Sequence, residues 1–263
     1  MTGRSPFAGE SATLRIIQIS DCHVSADPDA LYRGQSADGN LKKVLHLAEQ
    51  WNPALVLLSG DVSEDGSRES YERISGLLAR TGAPVLALPG NHDVVEVMSR
   101  YFRLGPWDGP HVMEIENWQL VLLDSTEPGR ISGSFSATHL EQIRASLHDN
   151  GERHTLVALH HQPVEVGAPW IDRYMLESPA RFFEVIDQSQ RVRCISWGHV
   201  HHDFQVQRKG VTLLGAPSTV ANSVPGAQRF TLDTAGPACR WLELSARGEV
   251  ITGLLYLPSG YRA

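Results

Sequence analysis

Short apolar runs alternate with segments of helical periodicity along the first two thirds of the chain. Apolar and β-branched runs predict buried strands at residues 14–20, 54–59, 84–88, 155–159 and 192–197. Apolar residues three and four positions apart predict helices at residues 40–51, 67–82, 94–102, 136–148 and 178–186. Strands that alternate with helices in this order predict an α/β fold built around parallel strands.

The pattern changes in the middle of the chain and again after Asp203. Residues 111–116 and 119–124 predict two strands joined as a hairpin at Asn117-Trp118. Short strands separated by turn residues predict a mostly antiparallel region at residues 204–208, 211–214, 229–232, 239–244 and 250–257. The sequence has no repeat or linker. We therefore expect one domain over residues 14–257, between a polar N-terminal tail at 1–13 and a C-terminal tail at 258–263.

Composition and charge narrow the classes of partner. A chain of 263 residues with 41% hydrophobic residues can bury one sizeable core. The formal net charge of −7 argues against a nucleic-acid polymer as partner, because phosphate backbones require a basic surface. A small anionic substrate would need local positive charge, which bound metal ions could supply.

The cysteine content and the lack of long apolar segments suggest a cellular compartment. The three cysteines are odd in number and widely spaced, so they imply no disulfide framework and fit a reducing environment. Residues 1–13 lack the apolar core of a secretion signal. No apolar run reaches the roughly 18 residues that a spanning helix needs. We expect a cytoplasmic protein without membrane contact.

Polar residues with metal-binding chemistry follow five of the predicted strands. The motifs are Asp21-Cys22-His23, Gly60-Asp61, Gly90-Asn91-His92-Asp93, His160-His161 and Gly198-His199-Val200-His201. Each alone has an ordinary explanation as a turn or polar loop. Their recurrence at the carboxyl ends of strands, where open α/β sheets place their sites, favours a metal centre. Carboxylate, amide and imidazole ligands without thiolate suit Mn, Fe or Zn.

Two features of these motifs remain open to alternatives. If the strand geometry persists, His199 and His201 point the same way; if the chain turns, each can reach a different metal. Within Asn91-His92-Asp93, the amide suits a cation, His92 is a candidate general acid, and Asp93 is placed in sequence to orient the His92 imidazole.

The five motifs in this order resemble the calcineurin-like metallophosphoesterase superfamily over residues 14–257. The resemblance implies a four-layer α/β/β/α sandwich of two mixed sheets with a dinuclear metal centre. It also implies a division of ligands: Asp21, His23 and His201 for one divalent ion; Asn91, His160 and His199 for the other; Asp61 between the two. Asn91 and His201 would contact substrate. His161 would either contact substrate or lie behind the ligands, and His202 is either a pocket wall or part of a solvated loop.

The implied reaction is phosphodiester hydrolysis by a hydroxide held between two cations, with His92, held by Asp93, protonating the leaving group. The motifs, the length and residues 240–244 resemble the bacterial class III cyclic-nucleotide phosphodiesterases. That resemblance implies hydrolysis of a 3′,5′-cyclic nucleotide, cAMP foremost, to the 5′-monophosphate. Loop position suggests Arg33, Trp170 and Asn222 as base or ribose contacts, and a homodimer is among the expected assemblies.

Two alternatives stay open. One is a broad-specificity phosphodiesterase or phosphomonoesterase acting on other small phosphates, such as glycerophosphodiesters. The other is a non-catalytic metal-binding scaffold, which the complete set of motif residues disfavours.

Overall fold

Two mixed β-sheets lie at the centre of the computed structural model, which describes residues 13–102, 109–148 and 151–257. The strands of these ranges are β1 (Leu14–Ile19), β2 (Leu31–Tyr32), β3 (Gln35–Ser36), β4 (Leu55–Ser59), β5 (Val85–Leu88), β6 (His111–Ile115), β7 (Trp118–Leu122), β8 (His154–Ala158), β9 (Val192–Trp197), β10 (Phe204–Arg208), β11 (Val211–Gly215), β12 (Ala238–Leu244) and β13 (Val250–Tyr256). The first sheet has the order β13-β12-β1-β4-β5 and the second β10-β11-β9-β8-β7-β6. Strands β2 and β3 form a small separate hairpin.

Helices connect the parallel strands. They are α1 (Ala37–Trp51), α2 (Arg68–Leu78), α3 (Val95–Met98), α4 (Ala137–His148), α5 (Pro169–Asp172) and α6 (Pro179–Ile186), with one 3-10 turn at Ala79–Thr81. Strands β1, β4 and β5 run parallel, as do β7, β8, β9 and β11. The carboxyl ends of each parallel set therefore open on one edge.

Three apolar layers hold these elements together. In β1, Ile16 lies in the layer between the two sheets, whereas Ile17 and Ile19 pack in the layer with α1 and α2. The third layer joins the second sheet to α4 and α6. Each sheet is thus buried on both faces, and the layers follow one another in space as helices, sheet, sheet and helices. The predicted four-layer α/β/β/α fold is confirmed.

The structure corrects one local prediction. Residues 229–232 do not form a strand: only Leu232 makes a bridge, to Ser223, because Thr231 is bonded to the Ser223 side chain within a loop. Helix α6 begins at Pro179, and Ser178 before it has left-handed backbone with φ 50° and makes no side-chain capping bond. Strand β11 lies parallel to β9 and is the exception in the C-terminal region.

The predicted limits of the domain, residues 14 and 257, lie close to the ends of the described part of the chain. The predicted tails, apart from Thr13, lie outside the described residues. Within the described ranges, no helix has both the length and the apolar character needed to cross a bilayer.

A buried polar contact joins the two sheets near their carboxyl ends. The amide of Gln18 on β1 donates to Ser59 Oγ at 2.9 Å and to the Trp197 carbonyl at 3.1 Å. The Ser196 hydroxyl donates in return to Gln18 Oε1 at 2.6 Å. Because all these groups are shielded from water, the contact fixes how the sheet ends face each other.

Replacing Gln18 by leucine should therefore destabilise the protein although the volume is kept. The change leaves Ser59, Ser196 and the Trp197 carbonyl short of partners, which costs about 1–3 kcal/mol. The measurement is the urea midpoint of unfolding. Gln205→Leu, at an exposed position of β10, is the matched control and should shift stability by no more than about 0.5 kcal/mol. Equal midpoints for the two variants would contradict the proposed role of Gln18.

Candidate metal centre

The strand ends continue as paired backbone before they turn away. Beyond β1 and β4, the Asp21 N–H donates to the Gly60 carbonyl at 3.0 Å, and the His23 N–H donates to the Asp61 carbonyl at 3.0 Å. In the second sheet, the Gly198 N–H donates to the His160 carbonyl at 3.1 Å. These bonds set the carboxylates of the first sheet opposite the imidazoles of the second.

Five ligand candidates have left-handed backbone. The φ angles are 51° at Asp21, 45° at His23, 47° at Asp61, 67° at His199 and 53° at His201. Residues with a Cβ avoid this region, although Asp and His adopt it more readily than most. The chain therefore turns at Gly198-His199-Val200-His201 rather than staying extended, and the two imidazoles reach different partners. Clustering of such residues is typical of functional sites.

Two glycines leave room for the turns. A Cβ at Gly198 would lie 2.2 Å from Ser20 Oγ and 2.7 Å from the Ser59 carbonyl. A Cβ at Gly90 would lie 2.3 Å from the backbone nitrogen of Asp61. Both positions require glycine because backbone from a neighbouring strand end occupies the space.

The first ligand group brings together Asp21, His23 and His201. The Nε2 atoms of the two histidines are 3.2 Å apart, and His201 Nε2 is 3.4 Å from Asp21 Oδ1. Each Nδ1 faces an acceptor: Glu64 Oε2 at 2.7 Å for His23, and the Ala221 carbonyl at 2.8 Å for His201. Since Nδ1 must carry the hydrogen in both neutral rings, both Nε2 atoms present lone pairs to each other. A cation between them satisfies that arrangement.

The second ligand group contains His160, His199 and Asn91. His160 Nδ1 donates to the Ser59 carbonyl at 2.9 Å, which turns its Nε2 toward His199 Nδ1 at 3.2 Å. Among the residues that the structure describes, Asn91 Oδ1 and His199 Nε2 are buried without a hydrogen-bond partner. Buried polar atoms are rarely left so, and a buried amide oxygen without a protein partner suits a divalent ion.

Asp61 lies between the two groups. Its Oδ2 is 3.4 Å from His160 Nε2 and 3.9 Å from His23 Nε2, and its Oδ1 accepts the His92 N–H at 2.9 Å. Burial disfavours the charged carboxylate, but His160 and His23 outweigh it and hold the pKa of Asp61 well below its usual value. Six of the seven predicted ligands thus come together around a charged oxygen where a bridging ligand is expected, and the seventh, Asn91, is next to His92, whose N–H bonds to that carboxylate.

The electrostatics of the centre call for positive charge. Burial also opposes ionisation of Asp21, yet His201 lowers the pKa of this carboxyl. Burial would lower the pKa of His160, but Asp61 and Asp21 raise it to about 9. Two ionised carboxylates in a buried site therefore attract either protons or metal ions, and the donor set fits two divalent cations.

The structure corrects the partner of His92. Its Nδ1 is 3.2 Å from Glu64 Oε2, and its ring meets that of His23 edge-on with centroids 5.0 Å apart. About a third of the His92 side chain is exposed, so the ring is accessible beside the buried ligands. Glu64, which the sequence interpretation missed, thus contacts both a ligand and the candidate acid. Its position three residues after Asp61, in the same loop, was the available signal.

Asp93 instead holds the loops around the ligands. Its carboxylate accepts the backbone N–H groups of Val62, Ser63 and Gly90 at 2.9–3.2 Å, and the Tyr71 hydroxyl at 3.0 Å. Burial and the nearby Asp61 charge raise the pKa of Asp93 to about 6, against the effect of those hydrogen bonds. Because its oxygens are directed at the backbone, the prediction that Asp93 orients His92 is wrong.

The structure decides between the two alternatives for His161 and corrects the suggested role of Asn222. His161 is buried, with Nδ1 bonded to Ser125 Oγ at 2.8 Å and Nε2 to the Ile131 carbonyl at 2.8 Å. Burial and the charge of His160 lower its pKa to about 3, so it serves as neutral packing behind His160. Asn222 bonds to both backbone groups of Ser218 and to the Gly236 carbonyl, which closes a loop rather than facing substrate.

Three further side chains complete the surroundings. His202 is buried with Nδ1 at 2.7 Å from the Val200 carbonyl, so it belongs to the wall rather than to a solvated loop. Tyr32 stacks on His23, with centroids 3.8 Å apart and planes at 4°. Phe230, expected in a strand, instead lies 6.1 Å from the His201 ring.

Comparison with known proteins agrees with this geometry. The family described as calcineurin-like phosphoesterase matches residues 14–203, which is more than half of the chain and contains all seven ligand candidates. The chain belongs to the calcineurin-like phosphoesterase family. This phosphoesterase is a hydrolase, as the resemblance of its motifs implied.

Curated relatives match the phosphoesterase over nearly its whole length. A protein of Pseudomonas aeruginosa named 3′,5′-cyclic adenosine monophosphate phosphodiesterase CpdA is 36% identical over 256 residues, covering 97% of this chain and 94% of the relative. A protein of Synechococcus named probable cyclic nucleotide phosphodiesterase is 38% identical over 243 residues, covering 92% of each. Among solved structures, a dimetal phosphatase from Danio rerio shares the fold, with a TM-score of 0.64 and 14% identity over 92% of this chain and 99% of that one.

Metal binding should stabilise the phosphoesterase measurably. We expect that adding Mn²⁺ to chelator-treated protein raises the melting temperature by several degrees, because ligand at about 100 times its Kd contributes about 2.7 kcal/mol. His201→Ala should lose most of the rise. His148→Ala, exposed at the end of α4, is the matched control and should keep it. A melting temperature that does not respond to metal would argue against the centre.

Proposed function

We propose that the phosphoesterase hydrolyses 3′,5′-cyclic nucleotides, with cAMP foremost, to 5′-monophosphates at a centre of two divalent metal ions. The observation that carries the proposal is Asp61 Oδ2, which lies between His23 and His160 at 3.9 and 3.4 Å, with His92 accessible beside it. Relatives named as cyclic nucleotide phosphodiesterases match over more than nine tenths of the chain and support the substrate class.

The ligands divide into two sets in this proposal. Asp21, His23 and His201 would hold one ion and Asn91, His160 and His199 the other, with Asp61 shared. The support is that the first three converge through Nε2 and a carboxylate oxygen, while Asn91 Oδ1 and His199 Nε2 are buried without partners in the described structure. When bound, the two ions would offset the charge of a phosphodiester and acidify a water molecule.

His92 supplies the proton in the proposed reaction. A water oxygen forms a new bond to phosphorus, the bond from phosphorus to O3′ breaks, and the departing O3′ takes a proton from His92. Glu64 at 3.2 Å from His92 Nδ1 fixes the ring, which leaves Nε2 to face the leaving group. The main-chain bond from His92 to Asp61 Oδ1 keeps the acid next to the ligands.

The proposal extends to the size of the substrate and to the compartment. A net charge of −7 disfavours a polyanion and suits a small diester held by local positive charge. Cys22, Cys194 and Cys239 are buried free thiols, which fits a reducing compartment and supports a cytoplasmic location.

A substrate panel tests the assignment directly. We expect kcat/KM for cAMP to exceed that for glycerophosphocholine, for bis(p-nitrophenyl) phosphate and for p-nitrophenyl phosphate, with 5′-AMP as the product. The same preparation of Asp61→Asn is the control, since it should lose activity on every substrate. A preference for glycerophosphodiesters, or no hydrolysis of any diester by the metal-loaded protein, would overturn the proposal.

His92→Ala should separate proton transfer from metal binding. Loss of a positioned general acid reduces turnover by roughly 10²–10⁴-fold, whereas the ligand atoms are untouched. The measurements are kcat on cAMP and metal content by elemental analysis. The variant should lose less activity on a substrate with a better leaving group, which depends less on protonation. Retained metal with unchanged turnover would show that His92 has no part in the reaction.

A further inference from the structure

Four side chains from three segments close around one edge of the metal centre. Tyr32 and Arg33 come from the β2–β3 hairpin, Trp170 from α5, and Phe230 from the loop before β12. We call these four residues the aromatic rim. The ring centroids of Tyr32, Trp170 and Phe230 lie 5.9, 6.2 and 6.1 Å from that of His201, so the three rings share one ligand candidate as a neighbour.

The rim is ordered by contacts among its own members. Trp170 and Phe230 meet edge to face with centroids 5.3 Å apart. The Arg33 guanidinium lies 3.9 Å from the centroid of Phe230 and 6.0 Å from that of Trp170, and Arg33 Nε donates to the Tyr32 hydroxyl at 3.3 Å. A guanidinium on the face of an aromatic ring is a favourable contact. It joins the hairpin to the Phe230 loop.

The rings remain partly open to solvent. Tyr32, Trp170 and Phe230 are half-buried, and Arg33 is exposed. Each ring also packs on one side against an apolar layer of the fold, Tyr32 and Phe230 against the layer with α1 and α2, and Trp170 against the layer with α4 and α6. Flat rings left accessible beside a centre for anionic phosphate therefore offer a surface that a planar group on the substrate can cover.

We propose that the aromatic rim binds the nucleobase of the substrate, with Phe230 and Trp170 as its stacking surfaces. This inference rests on the proposed function, because it takes the diester at the centre to be a nucleotide. A phosphate held beside His201 would lie next to the rim, whose ring centroids are 5.9–6.2 Å from that of His201. Purines gain more from stacking than pyrimidines because their rings are larger. Stacking tolerates different bases, since every base has a π-face.

Arg33 disfavours quaternary ammonium groups, the other class of ligand that aromatic surfaces bind. Choline and other quaternary ammonium ions bind over aromatic faces, but Arg33 already places a positive charge over Phe230. A cationic head group would meet that charge at short range, whereas a neutral base would not. The rim thus favours a nucleotide over glycerophosphocholine at the same metal centre.

Calorimetric titration of the metal-loaded protein tests the rim independently of turnover. The probes are 5′-AMP and ribose 5-phosphate, which share the phosphate and sugar and differ in the base. The wild-type protein should bind 5′-AMP at least about 10-fold more tightly. Phe230→Leu should reduce that ratio toward one, chiefly by weakening 5′-AMP, and should raise KM for cAMP more than it lowers kcat.

Trp51→Leu is the matched control. Trp51 also carries a guanidinium on its face, that of Arg15 at 4.0 Å, but it ends α1 away from the ligands. This variant should keep the wild-type ratio of affinities. Arg33→Gln should raise the relative activity on glycerophosphocholine against that on cAMP.

The possible outcomes distinguish failure of the base-binding proposal from failure of the proposed hydrolysis. Equal affinities of the wild-type protein for the two probes, or a ratio unchanged by Phe230→Leu, would overturn the base site even if cAMP is hydrolysed. Tighter binding of 5′-AMP that depends on Phe230, together with no hydrolysis of cAMP, would sustain the base site and overturn the proposed reaction.

Discussion

Buried negative charge is the constraint on which this structure depends. Asp21 and Asp61 are shielded from water at the ends of β1 and β4, and an ionised carboxylate in such a place is stable only when positive charge and donors surround it. Imidazoles from the second sheet, His160, His199 and His201, provide those surroundings. The two sheets must therefore end at the same level, and the apolar layer between them fixes that alignment.

The turns that carry the ligands are unfavourable for the chain alone. Left-handed backbone at a residue with a side chain costs of order 1–3 kcal/mol, although Asp and His lie at the favourable end. Here each turn is bounded by a buried strand and by backbone bonds such as that from the Asp21 N–H to the Gly60 carbonyl. The sheets thus hold the loops in a conformation that the loops would not choose, which keeps the ligands in place.

Much of the fold follows from local pattern. Apolar runs and helical spacing predicted most strands and helices to within a few residues, because burial on both faces of a sheet leaves a strong signal. The motifs at the strand ends were equally visible, and parallel topology alone brings them to one edge. The prediction of a strand at residues 229–232 was wrong because Phe230 packs near the His201 ring within a loop, while Leu232 is exposed.

Local sequence pattern could not predict the contacts between separate loops. Asp93 is adjacent to His92 in sequence, yet the turn at Gly90 directs its carboxylate back to the backbone, and Glu64 from another loop approaches the ring instead. His161 follows His160, and its ring lies 4.9 Å from that of His160 and 4.7 Å from that of His199, but Ser125 and the Ile131 carbonyl bond to its two nitrogens. Distances between such groups depend on the registration of whole sheets, which no short motif encodes.

The double contact of Glu64 has a further consequence. One oxygen, Oε2, is 2.7 Å from Nδ1 of His23 and 3.2 Å from Nδ1 of His92, so two imidazoles share a single acceptor. Whichever ring carries more positive charge draws that oxygen closer and weakens its hold on the other. The candidate metal ligand His23 and the proposed acid His92 are thereby coupled through a single oxygen atom.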